Sequence, residues 1–461
     1  MSSQRSEPAA LYGADAGEPA QRRAFTGGAV PVAVYGLGKM GLPLAAVYAD
    51  VSGNVTGVDI DSDVARAVDD GECPVEGEPG LPDAVERLAA DGSLSATTDA
   101  VGTAADASVH VLIVPTLVAD DRPDLSALEA AVRSVGEGLD PGDTVVVEST
   151  VPPRTCRDRV TPWLEAESGL ELGEFGLAFC PERTMSGRAL ADIRGAHPKV
   201  VGGADDESAR VAELVYGQIT DADVYTVSDC TTAECVKVFE GLYRDVNIAL
   251  ANELATLSRE FGVDVPEAIE VANTQPFCDI HDPGPGVGGH CIPYYPYFVI
   301  SEFESATPLL ETARHVNEYM PEYTVERAAE ALAATGRDLS EATAAVFGLT
   351  YRPGVDETRA SPGVDVADLL ADRAETTYAV DPICTDSPPV GVERAPLDDI
   401  DARELDLAVI ATAHEAFESV PWAAFDDVVV LDGRRQLNEE AIPHPVARLG
   451  DGSGEPGVGQ N

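Results

Sequence analysis

Short apolar runs and amphipathic stretches alternate along the first part of the chain. The runs that we predict to be strands cover residues 32–35, 55–59, 109–114, 144–148 and 176–180. Helical patterns separate these runs, and the first helical pattern extends to about Tyr48. Because strands separated by helices pair in parallel, this pattern predicts a doubly wound α/β domain.

The same alternation returns further along the chain. Predicted strands cover residues 344–349, 377–380, 407–412 and 428–431, with a predicted helix near 364–373. Between the two α/β stretches, residues 232–261 keep a helical pattern without proline, and such a helix would span about 45 Å. This length suits a spine between two domains, or a dimer face. We therefore predict an α/β protein with two doubly wound Rossmann-like domains joined by a long helical spine.

The pattern also suggests where the domains begin and end. Residues 1–30 and 447–461 contain few large apolar side chains, so we expect disordered tails there. Between the tails we expect a first α/β domain over residues 31–215, a central helical domain over 216–330 and a second α/β domain over 331–446.

Charge changes this picture most. The 461 residues include 30 basic and 81 acidic side chains, for a net charge of −51, and only three lysines. The acidic residues are spread through helices and loops, which indicates a halophilic surface for molar salt, where charges are screened within about 3 Å. An acidic partner-binding protein would instead concentrate its charge in blocks. A field this negative argues against nucleic-acid and anionic membrane partners.

The remaining composition favours a cytoplasmic protein. No apolar run reaches 18 residues, and residues 1–30 lack the apolar core of a secretory signal, so no membrane association is expected. The eight cysteines are scattered without Cys-x-x-Cys pairs. We therefore expect neither a disulfide framework nor a metal site.

A glycine pattern follows the first predicted strand. Gly36, Gly38 and Gly41 form Gly-x-Gly-x-x-Gly before a helix, and Asp59 ends the next strand. Such glycines allow a tight turn and close approach of a pyrophosphate, and the acid hydrogen-bonds ribose hydroxyls and disfavours a 2′-phosphate. The pattern predicts binding of NAD rather than NADP; a purely structural tight turn is the alternative.

A second glycine-rich loop precedes a cysteine. Residues 284–289 contain four glycines, and His290 and Cys291 follow directly. Glycines let the backbone approach a ligand closely. Cys291 is a candidate nucleophile if a nearby cation favours its thiolate, while a buried small cysteine in a turn is an equal alternative on these residues alone.

Together, these motifs resemble the UDP-glucose/UDP-N-acetylmannosamine dehydrogenase family over residues 31–445. The resemblance is carried by seven segments in the family's order: GLGKMGLPLA (36–45), GVDI (57–60), ESTVPP (148–153), CPERTMSGR (180–188), TAECVKVFEGLYRDVNIALANE (232–253), GPGVGGHCIP (284–293) and FGLTYRPGVDETRASP (347–362).

The resemblance implies an NAD-dependent four-electron oxidation of a UDP-sugar C6 alcohol to a carboxylate. Cys291 would form a thiohemiacetal and then a thioester, which water hydrolyses. Lys237 matches a lysine that stabilises developing oxyanions, although a solvated lysine on a helix is the plain alternative. Glu182 matches a carboxylate that handles protons and water, and Thr150 matches a hydroxyl near the nicotinamide.

The resemblance also assigns binding residues, and the length of the central helix indicates an assembly. Thr116 matches a cofactor contact, and Tyr351, Arg352 and Arg359 match the segment that grips UDP. Further substrate contacts are expected from Arg244, Asn247, Gly288 and His290. The long central helix is expected to form a homodimer.

The sequence departs from the family at two positions. Four residues after the lysine, the usual asparagine is Gly241, and four residues after the cysteine, a frequent aspartate is Tyr295. Both departures bear on thioester hydrolysis, and they motivate a non-catalytic nucleotide-sugar-binding protein as an alternative from a different class.

The segments around residues 181–183, 244–249 and 290–293 resemble the N-acetylhexosamine branch more than the UDP-glucose branch. We therefore favour UDP-N-acetyl-D-mannosamine as substrate. UDP-N-acetylglucosamine, UDP-N-acetylgalactosamine and UDP-glucose stay open, and the choice between C2 epimers depends on pocket shape. A two-electron enzyme that stops at an aldehyde or ketone is a further alternative.

Overall fold

The structure is a computed structural model that describes residues 10–185 and 187–452. The chain forms two compact units. The first comprises the described residues up to Phe239 together with Tyr297–Glu302, and the second comprises Glu240–Pro296 and the described residues from Phe303 onward.

The first unit is built on an eight-stranded sheet in the order β10-β9-β8-β7-β4-β1-β2-β3, parallel except between β8 and β9. A small antiparallel hairpin, β5–β6, lies outside it. The central strands are buried along their whole length, as expected for a sheet covered on both faces. The strands are β1 (Val32–Tyr35), β2 (Val55–Val58), β3 (Leu94–Thr97), β4 (Val109–Leu112), β5 (Leu117–Ala119), β6 (Arg122–Asp124), β7 (Thr144–Val147), β8 (Gly176–Phe179), β9 (Lys199–Gly203) and β10 (Val224–Val227).

Helices pack on both faces of this sheet, over two hydrophobic cores. They are α1 (Glu18–Thr26), α2 (Gly41–Ser52), α3 (Ser62–Asp69), α4 (Leu81–Ala90), α5 (Ala100–Asp106), α6 (Ser126–Gly138), α7 (Thr161–Ser168), α8 (Ala189–Ala191) and α9 (Asp206–Ile219), with π-helical segments at Cys156–Val160 and Asp192–Ala196.

The region before β1 is ordered, against the sequence prediction. Leu11 and Phe25 are fully buried, and the Phe25 ring packs edge-on against Tyr48 at 6.5 Å. The expected disordered tail over residues 1–30 is therefore wrong for residues 10–30, because two large apolar side chains suffice to anchor the segment. Residues 1–9 lie outside the described part of the chain. The expected domain end at residue 215 falls inside α9, since the sheet continues to β10.

The predicted long helix is present. Helix α10 (Cys230–Thr256) runs for 27 residues, about 40 Å, and α11 (Ser258–Phe261) follows it. Gly262 ends α11 in a left-handed conformation with φ of 66°, a usual helix C-cap.

The second unit contains a parallel six-stranded sheet in the order β13-β12-β11-β14-β15-β16. Its strands are β11 (Thr343–Phe347), β12 (Thr376–Val380), β13 (Val392–Arg394), β14 (Leu407–Ile410), β15 (Val429–Asp432) and β16 (Val446–Arg448). The remaining helices are α12 (Val265–Ala272), α13 (Tyr297–Ile300), which belongs to the first unit, α14 (Pro308–Ala334) and α15 (Pro362–Ala371), with 3-10 turns at Leu339–Glu341, Leu397–Ala402, Glu415–Ser419, Trp422–Ala424 and Glu439–Ala441.

The expected tail over residues 447–461 is wrong for residues 447–452. Strand β16 extends to Arg448, and Leu449 is buried. The other residues of that tail lie outside the described chain. Among the helices that the structure describes, none is long and apolar enough to span a membrane.

Candidate active site

The loop between β1 and α2 has the form of a dinucleotide-binding turn. Gly36 has a φ of 98°, and a Cβ there would lie 3.1 Å from the carbonyl carbon of Ile113. A Cβ at Gly41 would lie 2.8 Å from the carbonyl carbon of Gly36. By contrast, the space around Gly38 is open within 4 Å. Gly36 and Gly41 therefore close the turn, while Gly38 leaves room for a phosphate.

Asp59 follows β2 and faces this loop. Its Oδ2 accepts a hydrogen bond from the Leu37 amide at 2.8 Å, and its Oδ1 accepts one from the Asp61 amide at 2.9 Å. Since a carboxylate offers about four lone-pair sites, Asp59 retains capacity for ribose hydroxyls. The open turn, the start of α2 and this carboxylate together fit the adenosine diphosphate part of NAD.

Two further predicted residues meet at the carboxyl edge of the sheet. Thr116, which follows β4, donates from Oγ1 to the Thr150 carbonyl at 2.5 Å. Next to them, Ser149 donates from Oγ to the Val114 carbonyl at 2.8 Å. Thr116 and Thr150 therefore lie at the edge where parallel α/β sheets bind ligands, and their contact with a cofactor stays a prediction.

Glu182 and Lys237 complete the predicted residues of the first unit. Glu182 follows β8 and accepts a hydrogen bond from the Thr184 amide, and Lys237 lies half-buried on α10. One helical turn before Lys237, the buried Glu234 accepts hydrogen bonds from the amides of Arg154, at 2.5 Å, and Cys156, at 2.7 Å. This carboxylate, which the sequence reasoning missed, ties α10 to the segment that follows Thr150.

Cys291 lies in the second unit and is exposed, whereas the other seven cysteines are buried or half-buried. Its carbonyl accepts hydrogen bonds from the amides of Tyr294, at 3.1 Å, and Tyr295, at 3.0 Å. The thiol therefore sits at an accessible turn, and the alternative of a buried structural cysteine does not fit.

The glycine loop leaves no room for side chains at Gly288 and Gly289, because another segment lies directly against its backbone. A Cβ at Gly288 would lie 2.8 Å from Cβ of Tyr351, and a Cβ at Gly289 would lie 2.9 Å from Cε2 of the same ring. The Gly289 amide also donates to the Arg359 carbonyl at 3.0 Å. Two of the three residues expected to grip UDP thus contact the backbone that leads to Cys291.

His290 joins the same arrangement through a partner that the sequence did not reveal. Its Nε2 lies 2.7 Å from Oε2 of Glu357, whose carbonyl accepts the Tyr351 amide at 3.0 Å. Burial raises the pKa of Tyr351; the Glu357 and Cys291 charges add to this rise, and Arg352 opposes it. Arg352 lies with its guanidinium carbon 5.8 Å from the Tyr351 ring centroid.

The first residue of the glycine loop, Gly284, is held by polar side chains. Asn252 accepts the Gly284 amide on Oδ1 at 2.9 Å and donates to Asn317 at 2.9 Å. The Arg434 guanidinium packs against Gly284 and donates to the Ala411 carbonyl at 2.9 Å. Burial lowers the pKa of Arg434 to about 10. No spacing pattern links Arg434 to the loop, so sequence reasoning had no signal for it.

Asn247 and Arg244 occupy α10 without joining this cluster. Asn247 donates to the Asp279 carbonyl at 2.6 Å and accepts the His281 amide at 2.8 Å. Both ends of its amide therefore hold the loop after α12. Arg244 is exposed on the same helix. Direct substrate contact by either residue stays a prediction.

The two sheets, the NAD-type turn and the exposed cysteine define a dinucleotide-dependent dehydrogenase with two Rossmann-like domains. Three family models match in order: the NAD binding domain over residues 30–220, the central domain over 231–319 and the UDP binding domain over 345–439 of the UDP-glucose/GDP-mannose dehydrogenase family. The chain belongs to this family. It is an NAD-dependent oxidoreductase of the nucleotide-sugar dehydrogenase type.

Similar proteins agree with this assignment. The UDP-N-acetyl-D-mannosamine dehydrogenase of Pyrococcus horikoshii is 37% identical over 429 residues, which is 91% of this chain and 99% of that protein. A solved structure of UDP-D-ManNAc dehydrogenase from the same organism superposes with a TM-score of 0.84 at 36% identity, covering 92% of this chain and 100% of the other. The NDP-N-acetyl-D-galactosaminuronic acid dehydrogenase of Ralstonia nicotianae is 33% identical, covering 89% of this chain and 97% of that protein.

These matches confirm the resemblance drawn from the seven segments, the α/β fold and NAD as cofactor.

Proposed function

We propose that this enzyme oxidises the C6 alcohol of UDP-N-acetyl-D-mannosamine to the carboxylate of UDP-N-acetyl-D-mannosaminuronate. The observation that carries the proposal is the exposed Cys291, placed at the end of a glycine loop against the segment of Tyr351 and Arg359. That segment belongs to the UDP binding domain. Relatives named UDP-N-acetyl-D-mannosamine dehydrogenase support the choice of sugar.

The proposed chemistry takes two oxidation steps. NAD, which the turn of Gly36, Gly38 and Gly41 and the Asp59 carboxylate would hold, would supply the oxidant for both steps, so two NAD would be consumed per sugar. In the first step, the alcohol proton leaves to a base as the aldehyde forms. The Cys291 thiolate then adds to the aldehyde carbon, and the resulting thiohemiacetal loses a hydride to become a thioester. Water attacks the thioester carbon, releasing the carboxylate and the thiolate.

The other residues would act on charge and protons. The Lys237 ammonium stabilises the oxyanions that develop at the sugar carbon, a role in which a preplaced cation is most effective. Glu182 accepts the proton of the attacking water, and the Thr150 hydroxyl orients that water. In the second unit, Arg352 and Arg359 bind the diphosphate, for which the planar guanidinium offers paired donors.

A second candidate substrate is UDP-N-acetyl-D-galactosamine. It is favoured by the similarity to the Ralstonia nicotianae protein, which is nearly as similar as several mannosamine dehydrogenases. UDP-N-acetylglucosamine and UDP-glucose complete the set to test. A non-catalytic nucleotide-sugar-binding protein is the outcome to expect if the sugars bind without any NADH formation.

The test is NADH production in molar KCl with these four UDP-sugars, counted per sugar consumed. We expect two NADH per UDP-N-acetyl-D-mannosamine, with a carboxylate product by mass spectrometry. Two NADH from another sugar would retain the reaction and overturn the substrate. A burst of two NADH per subunit without further turnover would indicate a trapped thioester, and one NADH per sugar would indicate an aldehyde or ketone product.

We also propose that the enzyme is a homodimer formed through α10. The helix carries the exposed apolar side chains Phe239, Tyr243 and Leu250, which recur at three- to four-residue multiples and so lie along a common stripe. A second copy of the same helix is the partner that would cover them.

A further inference from the structure

Four polar side chains are buried between α10 and α14, although none of them has a role in the reaction or in the binding contacts proposed above. Asp245 and Asn252 lie seven residues apart on α10, and Arg314 and Asn317 lie three residues apart on α14. Because both spacings are close to whole helical turns, each pair lies on one face of its helix. The two faces meet and bring the four side chains together.

Hydrogen bonds connect the glycine loop to these side chains in a single series. The Gly284 amide donates to Oδ1 of Asn252 at 2.9 Å, and Nδ2 of Asn252 donates to Oδ1 of Asn317 at 2.9 Å. Nδ2 of Asn317 then donates to Oδ1 of Asp245 at 2.9 Å and to its carbonyl at 3.0 Å. Arg314 donates from Nη1 to the same Oδ1 at 2.7 Å. We call Asn252, Asn317 and Asp245 the polar relay.

The direction of these bonds has an electrostatic consequence. Each N–H of the series donates toward Asp245, and Arg314 supplies the opposite charge. Burial raises the pKa of Asp245, while the Arg314 charge and the hydrogen bonds from Asn317 and Arg314 oppose that rise. Buried hydrogen bonds in series polarise one another, and a charged acceptor strengthens them. The hold of Asn252 on the Gly284 amide therefore depends on the rest of the polar relay.

The glycine loop needs such support because of its backbone conformation. Gly286 and Gly289 have φ of 139° and 96°, a region that residues with a side chain rarely adopt. Such conformations persist where the surrounding structure fixes them. The Asn317 carbonyl oxygen would lie 3.5 Å from a Cβ on Gly286, and the Gly289 amide donates to the Arg359 carbonyl at 3.0 Å. The polar relay thus holds the start of the loop and Arg359 holds its end, two residues before Cys291.

We propose that Asp245, Asn317 and Asn252 are positioning residues that fix the start of the glycine loop and thereby the turn that presents Cys291. The inference rests on the role of Cys291 in the proposed function. Oδ2 of the buried Asp245 has no hydrogen-bond partner among the residues that the structure describes. A buried polar network that is only partly satisfied stabilises a fold less than apolar packing does. Its retention here therefore favours a role in holding one conformation of the loop.

The test breaks the polar relay at two points, with Asn252→Leu, Asn317→Leu and the double variant. Thr324→Val is the matched control, because it removes a fully buried hydroxyl of α14 that donates to the Met320 carbonyl within the helix. The readouts in molar KCl are hydrogen–deuterium exchange of residues 284–295, the temperature of unfolding, and kcat and KM for UDP-N-acetyl-D-mannosamine.

We expect each single variant to speed exchange in residues 284–295 by about tenfold, because loss of one buried hydrogen bond shifts a local opening equilibrium by roughly that factor. The kcat should fall by about tenfold or more, and by more than KM changes, because a displaced nucleophile loses alignment with the reacting carbon. The double variant should match the single variants, since a series that is already broken loses little at a second break. Thr324→Val should lower the unfolding temperature and leave exchange and kcat unchanged.

A purely structural role gives a different result. Both single variants would then lower the unfolding temperature as Thr324→Val does, with exchange of residues 284–295 and kcat of the folded protein unchanged. Additive effects in the double variant would show that Asn252 and Asn317 act separately, which would also overturn the inference. Because exchange needs no turnover, it decides the inference even if the wild type oxidises none of the sugars, a result that would reject the proposed function separately.

Discussion

The ring of Tyr295 occupies the space into which a side chain at residue 241 would project. A Cβ built on Gly241 would lie 3.0 Å from both Cβ and Cγ of Tyr295, and closer still to Cδ2. Tyr295 is buried, and its amide donates to the carbonyl of Cys291. The two positions at which this sequence departs from its family are thus in direct contact. The absence of a side chain at Gly241 makes room for the ring of Tyr295, so the two departures are structurally linked.

Gly241→Asn is therefore expected to be strongly disruptive in this chain. The new side chain would force Tyr295 off the helix and with it the turn that presents Cys291, at a cost of about 1–3 kcal/mol of stability. Thermal unfolding in molar KCl measures that cost, and NADH production measures the effect on the site.

The double variant Gly241→Asn/Tyr295→Asp tests whether the two positions are coupled. Because the smaller residue at 295 makes room at 241, we expect it to be more stable and more active than Gly241→Asn alone. Additive effects of the two single substitutions would show that the contact carries no coupling.

The dinucleotide turn could be predicted from the sequence because its parts are local. Gly36, Gly41 and Asp59 belong to one β-α-β unit, in which the turn and the strand end are fixed by sequence spacing. The packing of Glu357 on His290 and of Arg434 on Gly284 could not be predicted from the sequence. These contacts join segments that are far apart along the chain and are linked by no periodic pattern of residues. The sequence supplied candidate residues in the second unit, but their partners depend on the tertiary fold.

The segment of α1 was mispredicted for a different reason. Because most residues of this segment are small or polar, its average composition predicted disorder. Leu11 and Phe25 are nevertheless fully buried. Strand β9 was also missed, because its two glycines and short length give a weak strand signal.

Asp59→Ala should weaken NAD binding. The substitution removes the acceptor for ribose hydroxyls and leaves the Leu37 amide without its 2.8 Å partner. Hydrogen bonds to a charged group contribute about 1.5–3 kcal/mol, so we expect the Kd for NAD to rise roughly ten- to hundredfold. Titration with NAD, followed by calorimetry or fluorescence, measures this Kd. Asp61→Ala is the matched control; an equal loss there would remove the special role of Asp59.

Cys291→Ser should abolish the second oxidation. Serine is a far weaker nucleophile at neutral pH, so the variant should give at most one NADH per sugar, with an aldehyde product by mass spectrometry. Iodoacetamide should label Cys291 first in the wild type, since it is the exposed member of the eight free cysteines. Cys235→Ser, at a half-buried position, is the control. Undiminished turnover in Cys291→Ser would refute covalent catalysis by this thiol.

Glu234 should make stability depend on pH. Burial raises its pKa from 4.5 to about 7 in the folded protein. The folded state therefore binds the proton more tightly than the unfolded state, so the contribution of Glu234 is most favourable below pH 4.5 and is lost as the pH rises through about 7. Glu234→Gln removes this dependence. Between pH 5 and 8, the variant should gain about 3 kcal/mol relative to the wild type, measured by denaturant unfolding in molar salt. Parallel pH curves for the two proteins would contradict the raised pKa.

The proposed dimer predicts a mass near twice 48.2 kDa in molar KCl, measured by light scattering. Leu250→Glu, and more strongly Phe239→Glu/Leu250→Glu, should shift the enzyme toward the monomer, because both exposed side chains lie on α10 and like charges would face each other across the axis. Leu172→Glu changes a similarly exposed leucine elsewhere in the first unit and should leave the mass unchanged. A wild-type mass of 48.2 kDa, or a dimer that survives the double substitution, would exclude α10 as the interface.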